Sequence, residues 1–315
     1  MHNAMLQLDL CNVGTHNSHY KTGRLNIWFP FLAGQDETEE CITLRQLEFE
    51  NIENPDPKVP ALEYSQVPGV PEQTIECLCS TSQNITEMGT CVGVLVSNNS
   101  KHQVWVPRAP LTSVRVAPLA KLLTLPEPPM MERLMFAVRL ASSALQLHKT
   151  EWLQGRCDKH DIYFIQGNSS QSRSPSLETP VVRHTFTSEP PALEALIGSH
   201  TLSRNLSLFS LGIVLIELWF WRSVESFQAD IPQAGDQDTA RYITAARLIE
   251  RLNEGAGIEY GSSVRRCIYG LDHWESQLEN NEFKGEAYIK VLKPLEKSLE
   301  IFCGETLEKT FEKDS

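Results

Sequence analysis

Hydrophobic and polar positions along the chain change rhythm near residue 110. Before it, the stretches 25–32, 42–52 and 91–96 mix β-branched and aromatic residues and read as short extended segments. The alternating run Gln103-Val104-Trp105-Val106 follows the turn-forming Asn98-Asn99-Ser100, so 91–96 and 103–106 are predicted to pair as a hairpin. Between residues 54 and 73, Pro55, Pro57, Pro60, Pro68 and Pro71 remove amide donors too often for a helix or a central strand. That stretch is expected to be a loop.

Beyond residue 110 the spacing becomes helical. Over 131–148, Met131, Leu134, Met135, Val138, Ala141 and Leu145 form one stripe, with Phe136, Leu140, Ala144 and Leu147 beside it. This predicts a helix buried on most sides, entered just after Pro128-Pro129, where a missing N–H costs little. Residues 206–221 are apolar nearly all round, as a central core helix is. Amphipathic helices are predicted over 239–253, 262–271 and 286–302, the last kinked or restarted by Pro294. The serine-rich stretch 167–191 carries Pro175, Pro180, Pro190 and Pro191 and reads as a loop, with Val181-Val182 as its strand-like point. Ser174-Pro175 within it suits phosphorylation, and equally an ordinary surface insertion. The fold class is α+β, with a strand-rich part over 1–115, a helical part over 116–304 and a charged tail over 305–315.

Composition narrows the function classes. At 315 residues and 41% apolar, the chain is long enough to bury a sizeable core, which removes disorder as a default. It carries 28 basic against 40 acidic side chains, net −12, with no basic stripe, so nucleic acid is not an expected partner. The longest apolar run, 206–221, is interrupted by Ser207, Ser210 and Glu217, and no membrane span is expected. Eight cysteines without a small-domain spacing read as reduced thiols, and residues 1–10 lack the basic and apolar regions of a secretory leader. A cytoplasmic or nuclear location follows as the expectation.

Candidate chemistry outside any family pattern is thin. Cys11, His16 and His19 lack a fourth metal ligand, and Cys77 and Cys79 are one residue short of a zinc-knuckle spacing. Cys157 near His160 or His184 has no third group to orient a nucleophilic pair. Trp219-Phe220-Trp221 is expected to pack in the core. Glu217, inside an apolar helix, needs a cation, and Arg265 or Arg266 in a later helix is the expected partner.

Leu147-His148 at a helix end, Ile162-Tyr163-Phe164 after a loop, and Ser210-Leu211-Gly212 through Glu217-Leu218 in the apolar helix together resemble landmarks of the protein kinases. More closely, the chain resembles a fungal family of kinase-like domains of unknown function. The runs 140–153, 161–164 and 208–218 appear in that family's order, and Val264-Arg265-Arg266-Cys267-Ile268 and Leu292-Lys293-Pro294-Leu295-Glu296 fit it as well. The resemblance covers roughly residues 75–303 and implies a bilobal protein-kinase-like fold with a small, degenerate strand-rich N-terminal lobe and a larger helical C-terminal lobe. Members often have an additional helical domain upstream.

Phosphoryl transfer requires a phosphate cover, a lysine, a base and metal ligands. In the register the resemblance implies, the His-Arg-Asp triplet of active kinases falls on Gln154-Gly155-Arg156, so a guanidinium stands where the base should be. Arginine remains protonated and cannot accept a proton. The kinase lysine two residues further on falls on Asp158, the metal-binding asparagine on Asp161, and the aspartate that anchors the catalytic loop on Ser207. Asp161 also suits a plain structural role, capping a turn into a strand. Neither a glycine-rich loop, a Val-Ala-x-Lys strand nor an Asp-Phe-Gly is found. The resemblance therefore implies an inactive pseudokinase acting through an unknown protein partner, with no catalytic residue and no cofactor. The alternative is a divergent kinase that binds ATP and Mg²⁺, with Asp158 as base and Asp161 as metal ligand.

Overall fold

The computed structural model describes residues 2–7, 25–31, 41–51, 74–76, 78, 81, 89–97, 100–107, 112–148, 150, 157–166, 176–186, 206–230, 237–271 and 280–313. The fold is α+β, with an antiparallel strand region and a mostly helical remainder. Two compact units divide the chain. One is built from Met1–Gln7, Asn12–Val116 and Val181–Ser188; the other from Leu8–Cys11, Ala117–Pro180 and Glu189–Ser315.

The strand unit contains β1 (His2–Gln7), β2 (Leu25–Phe31), β3 (Cys41–Asn51), β4 (Cys91–Ser97), β5 (Ser100–Trp105), β6 (Thr112–Pro118) and β8 (Pro180–Phe186). The pairings among its described strands are antiparallel, β1 with β2 and β8, β3 with β2, β5 and β6, and β4 with β5, and Thr74 makes an isolated parallel bridge to Val94. β4 and β5 pair as a hairpin, with Ser97 opposite Ser100. Its register shifts between Cys91 and Gly93. Val104 and Val106 are buried on alternate positions, as period-2 pleating requires. The hairpin and the strands over 25–31 and 41–51 match the sequence reading; β1 and β6 are additions to it. The proline-rich loop 54–73 lies outside the described residues.

The helical unit contains α1 (Leu119–Leu122), α2 (Met130–Leu147), β7 (Ile162–Gln166), α3 (Leu206–Phe220), a 3₁₀ turn (Val224–Asp230), α4 (Gln237–Tyr269), α5 (Asn280–Ala287), a π turn (Tyr288–Leu292) and α6 (Lys293–Lys313). Helix α3 is its centre: residues 210–218 are buried without interruption, so no side of the helix faces water there. Helix α4 unites the two predicted helices 239–253 and 262–271, but Gly257 breaks its geometry at φ 80°, ψ 168°, a conformation that favours glycine. Proline at 294 would clash with the Lys290 carbonyl in an ordinary α-turn. The chain answers with the π turn, in which the Lys293 N–H reaches the Tyr288 carbonyl. Buried Ser263 of α4 donates to the Val291 carbonyl and ties this turn to the core. Residues 305–313, expected as a charged tail, continue α6.

Helices α3 and α4 approach closely at Gly212, where a Cβ would lie 2.7 Å from Cys267 Cβ and 2.8 Å from Ile268 Cδ1. Gly212→Ala is expected to destabilise the protein by about 1–3 kcal/mol through overpacking, read as a lowered midpoint in urea unfolding. An unchanged midpoint would mean that the two helices part at no cost.

Candidate functional site

The turn 157–161, which leads into β7, is held by its own carboxylates. Asp158 Oδ1 accepts the His160 N–H at 2.8 Å, Asp161 Oδ2 accepts the Asp158 N–H at 3.1 Å, and the Asp161 N–H closes onto the Asp158 carbonyl at 3.0 Å. Short acidic side chains in this role make a compact Asx-type turn. The Lys159 carbonyl accepts the Ala120 N–H at 3.0 Å, fixing the turn to the start of α1.

From this turn Lys159 points inward. Its ammonium, 7% exposed, lies 2.7 Å from Glu217 Oε1 on α3, 2.5 Å from Glu225 Oε2 and 3.2 Å from Ser223 Oγ. Glu217 Oε1 also accepts the Val224 N–H at 3.0 Å. Glu225 continues the network through its second oxygen to Arg241 Nε at 2.8 Å, and an Arg241 Nη lies 3.9 Å from Asp158 Oδ2. Acid and base thus alternate from Glu217 through Lys159, Glu225 and Arg241 to Asp158. The network joins α3, the 3₁₀ turn, α4 and the 157–161 turn.

The charges respond as burial and pairing dictate. Burial pushes the Glu217 carboxyl above the ordinary carboxylate range despite Lys159. Burial also works against the Lys159 ammonium, but Glu217 and Glu225 outweigh it and raise its pKa. For Glu225, burial is outweighed by the hydrogen bonds from Lys159 and Ser223, which bring its pKa down to about 2. Glu217 Oε2 is buried and has no hydrogen-bond partner among the described residues.

The pairing of Glu217 corrects the sequence expectation of Arg265 or Arg266. Helices α3 and α4 run antiparallel: Gly212 faces Cys267 and Ile268, while the Leu215 carbonyl accepts the Tyr260 hydroxyl at 2.8 Å. Residue 217 is therefore level with the Gly257 break, and Arg265 and Arg266 lie about two turns away. Arg265 instead sits over the Tyr269 ring, 6.0 Å from its centroid.

Lys159, Ser223, Glu225 and Arg241 were not singled out from sequence. The available signal was Glu217 itself, which demanded a cation, and Lys159 stands in the turn already marked by Asp158 and Asp161. Those two residues share the turn, and their carboxylates cap its amides. Among the described residues no group of three or more His, Cys, Asp or Glu could hold a metal ion. Burial, then Asp161 and Asp158, push the Cys157 thiol up to about 12, so it remains protonated at neutral pH and is a poor nucleophile beside His160. Trp221 is buried as expected, whereas Trp219 and Phe220 are partly exposed. Cys11, His16, His19, Cys77, Cys79, Gln154, Gly155, Arg156 and Ser174 lie outside the described residues. Among the described residues no helix is long and apolar enough to cross a membrane.

A two-unit α+β chain organised around one apolar helix and a buried ion network is the class that fold and site define. The chain belongs to the family described as Domain of unknown function (DUF7580), which it matches over residues 1–302. No curated protein matches it.

The depressed Glu225 makes stability depend on acid. Its folded pKa of about 2 lies below the value of an unfolded glutamate, so its contribution is complete above roughly pH 5 and is lost as pH falls toward 2. Because the side chain is 32% exposed, screening limits the contribution to about 1–2 kcal/mol. Glu225→Gln is expected to flatten the fall in melting temperature between about pH 5 and pH 3. A parallel fall in wild type and variant would locate the acid sensitivity elsewhere.

Proposed function

We propose that the protein is a catalytically inactive kinase-like domain that serves as a protein-interaction or signalling scaffold in the cytoplasm or nucleus. The observation that carries the reading is the use made of the acidic turn. At the positions where the resemblance would seat phosphotransfer chemistry, both carboxylates are engaged with the turn's own amides, and Lys159 is committed to Glu217 and Glu225. The helix 130–147, the turn 157–161, the strand 162–166 and the apolar helix 206–220 occur in the order the resemblance implies. In that register Arg156 occupies the position of the base, and a guanidinium cannot accept a hydroxyl proton.

The competing enzyme reading uses Asp158 as base and Asp161 as ligand for Mg²⁺ with ATP, and it makes an opposite forecast. A ligand present at a hundredfold excess over Kd stabilises its protein by about 2.7 kcal/mol, which is several degrees in melting temperature. The scaffold reading predicts a melting curve unmoved by Mg²⁺ and ATP, and phosphate transfer from labelled ATP no greater than that of Asp158→Asn. Nucleotide-dependent stabilisation together with transfer abolished by Asp158→Asn would replace it with the kinase reading.

A further inference from the structure

The link between α1 and α2 presents a proline-rich edge. In Leu125-Pro126-Glu127-Pro128-Pro129 every residue is a proline or precedes one, which restricts each to the extended, polyproline II range of the backbone. Residues 126–129 accordingly form neither helix nor strand, Pro129 sits at φ −52°, ψ 143°, and no peptide bond among the described residues is cis. With three residues per turn, Pro126 and Pro129 fall on one edge, about 9 Å apart. Both are exposed, as are Leu125 at 42% and Glu127, whereas Pro128 is buried.

The edge is held at both ends. The Trp221 indole N–H donates to the Leu125 carbonyl at 3.0 Å, the Arg133 N–H reaches the Pro129 carbonyl at 3.3 Å, and the Arg133 guanidinium pairs with Glu127. The carbonyls of Pro126, Glu127 and Pro128 accept no hydrogen bond from the described residues, so they are open to donors from outside. A backbone already fixed in extended form loses little entropy on docking, and prolines at 126, 128 and 129 have no amide to leave unpaired. Exposed prolines three residues apart suit a groove that receives them in successive aromatic-lined pockets, as that of an SH3 domain does. A module that clamps two consecutive prolines would need Pro128, which is buried.

We infer that Pro126 and Pro129 form a docking edge for a protein partner bearing an SH3-type groove lined by aromatic rings. The inference deepens the scaffold reading by assigning the partner's recognition module, and it rests on that reading. The two fail separately: nucleotide binding tests the one, SH3 binding the other.

The test is surface plasmon resonance of the full chain over an array of purified SH3 domains, each beside a variant with its groove tryptophan changed to lysine. The expected result is saturable binding to at least one domain and none to its groove variant. Pro126→Ala and Pro129→Ala should each weaken that binding about tenfold, and the double variant should abolish it. Melting temperatures within a few degrees of wild type show that the variants fold. A free peptide of residues 121–131 should compete, but only at roughly tenfold higher concentration than the full chain, because its backbone must be ordered on binding. The inference is overturned if no domain of the array binds, if the double alanine variant binds as well as wild type, or if the groove variant binds equally. Binding of the peptide without binding of the full chain overturns it too, since the edge would then be closed to a partner in the folded protein.

Discussion

A carboxylate buried on a largely apolar helix is the constraint around which the helical unit is arranged. Glu217 is 0% exposed, and its place one turn before the end of α3 is unfavourable for a negative charge, because the helix dipole is negative there. Removing such a group from water without a partner costs several kcal/mol. Lys159 supplies the partner from a distant point in the chain. To deliver its ammonium, the 157–161 turn must stand against the α3 terminus, and the turn's own aspartates give it the shape to do so.

The surrounding structure secures the same helix end by other means. The Arg222 N–H reaches back to the Glu217 carbonyl at 3.2 Å, and Trp221 takes up φ 47°, a left-handed conformation usually left to glycine. The cost of roughly 1–2 kcal/mol is offset by burial of the indole and its bond to the Leu125 carbonyl at 3.0 Å. Buried Arg133 of α2 donates to the Leu218 and Trp219 carbonyls at 3.1 and 2.6 Å, and it pairs with exposed Glu127. A cation bonded to the last carbonyls suits the negative end of the dipole. With the Tyr260 hydroxyl on the Leu215 carbonyl, α2 and α4 both cap α3.

Sequence patterning made the helices legible because their burial is periodic, and α3 because it has no polar side. The hairpin was legible because Asn98-Asn99-Ser100 stands between the β-branched run 91–96 and the alternating run 103–106. β1 and β6 were not, since segments such as His2–Gln7 lack a clean alternation and owe their state to partners distant in sequence: Leu6 lies opposite both Ile27 and Val182. The need for a cation at Glu217 was also legible, but its identity was not. An antiparallel helix pair decides which residues come level, and residue composition does not encode that offset. Asp158 and Asp161 were visible as chemistry, whereas their use as turn caps depends on backbone geometry. Continuation of α6 through 305–313 likewise did not follow from its charge.

The scaffold proposal draws on this economy: Asp158 and Asp161, which the competing reading would need for phosphotransfer, shape the turn that carries Lys159 to the α3 terminus. A double-mutant cycle on Lys159 and Glu217, read by urea unfolding, tests that dependence most directly. Lys159→Met alone leaves a buried carboxylate unpaired and is predicted to cost about 3–5 kcal/mol, while Lys159→Met with Glu217→Leu recovers at least 2 kcal/mol of it. Single and double substitutions whose effects simply add, to within about 0.5 kcal/mol, would contradict the account.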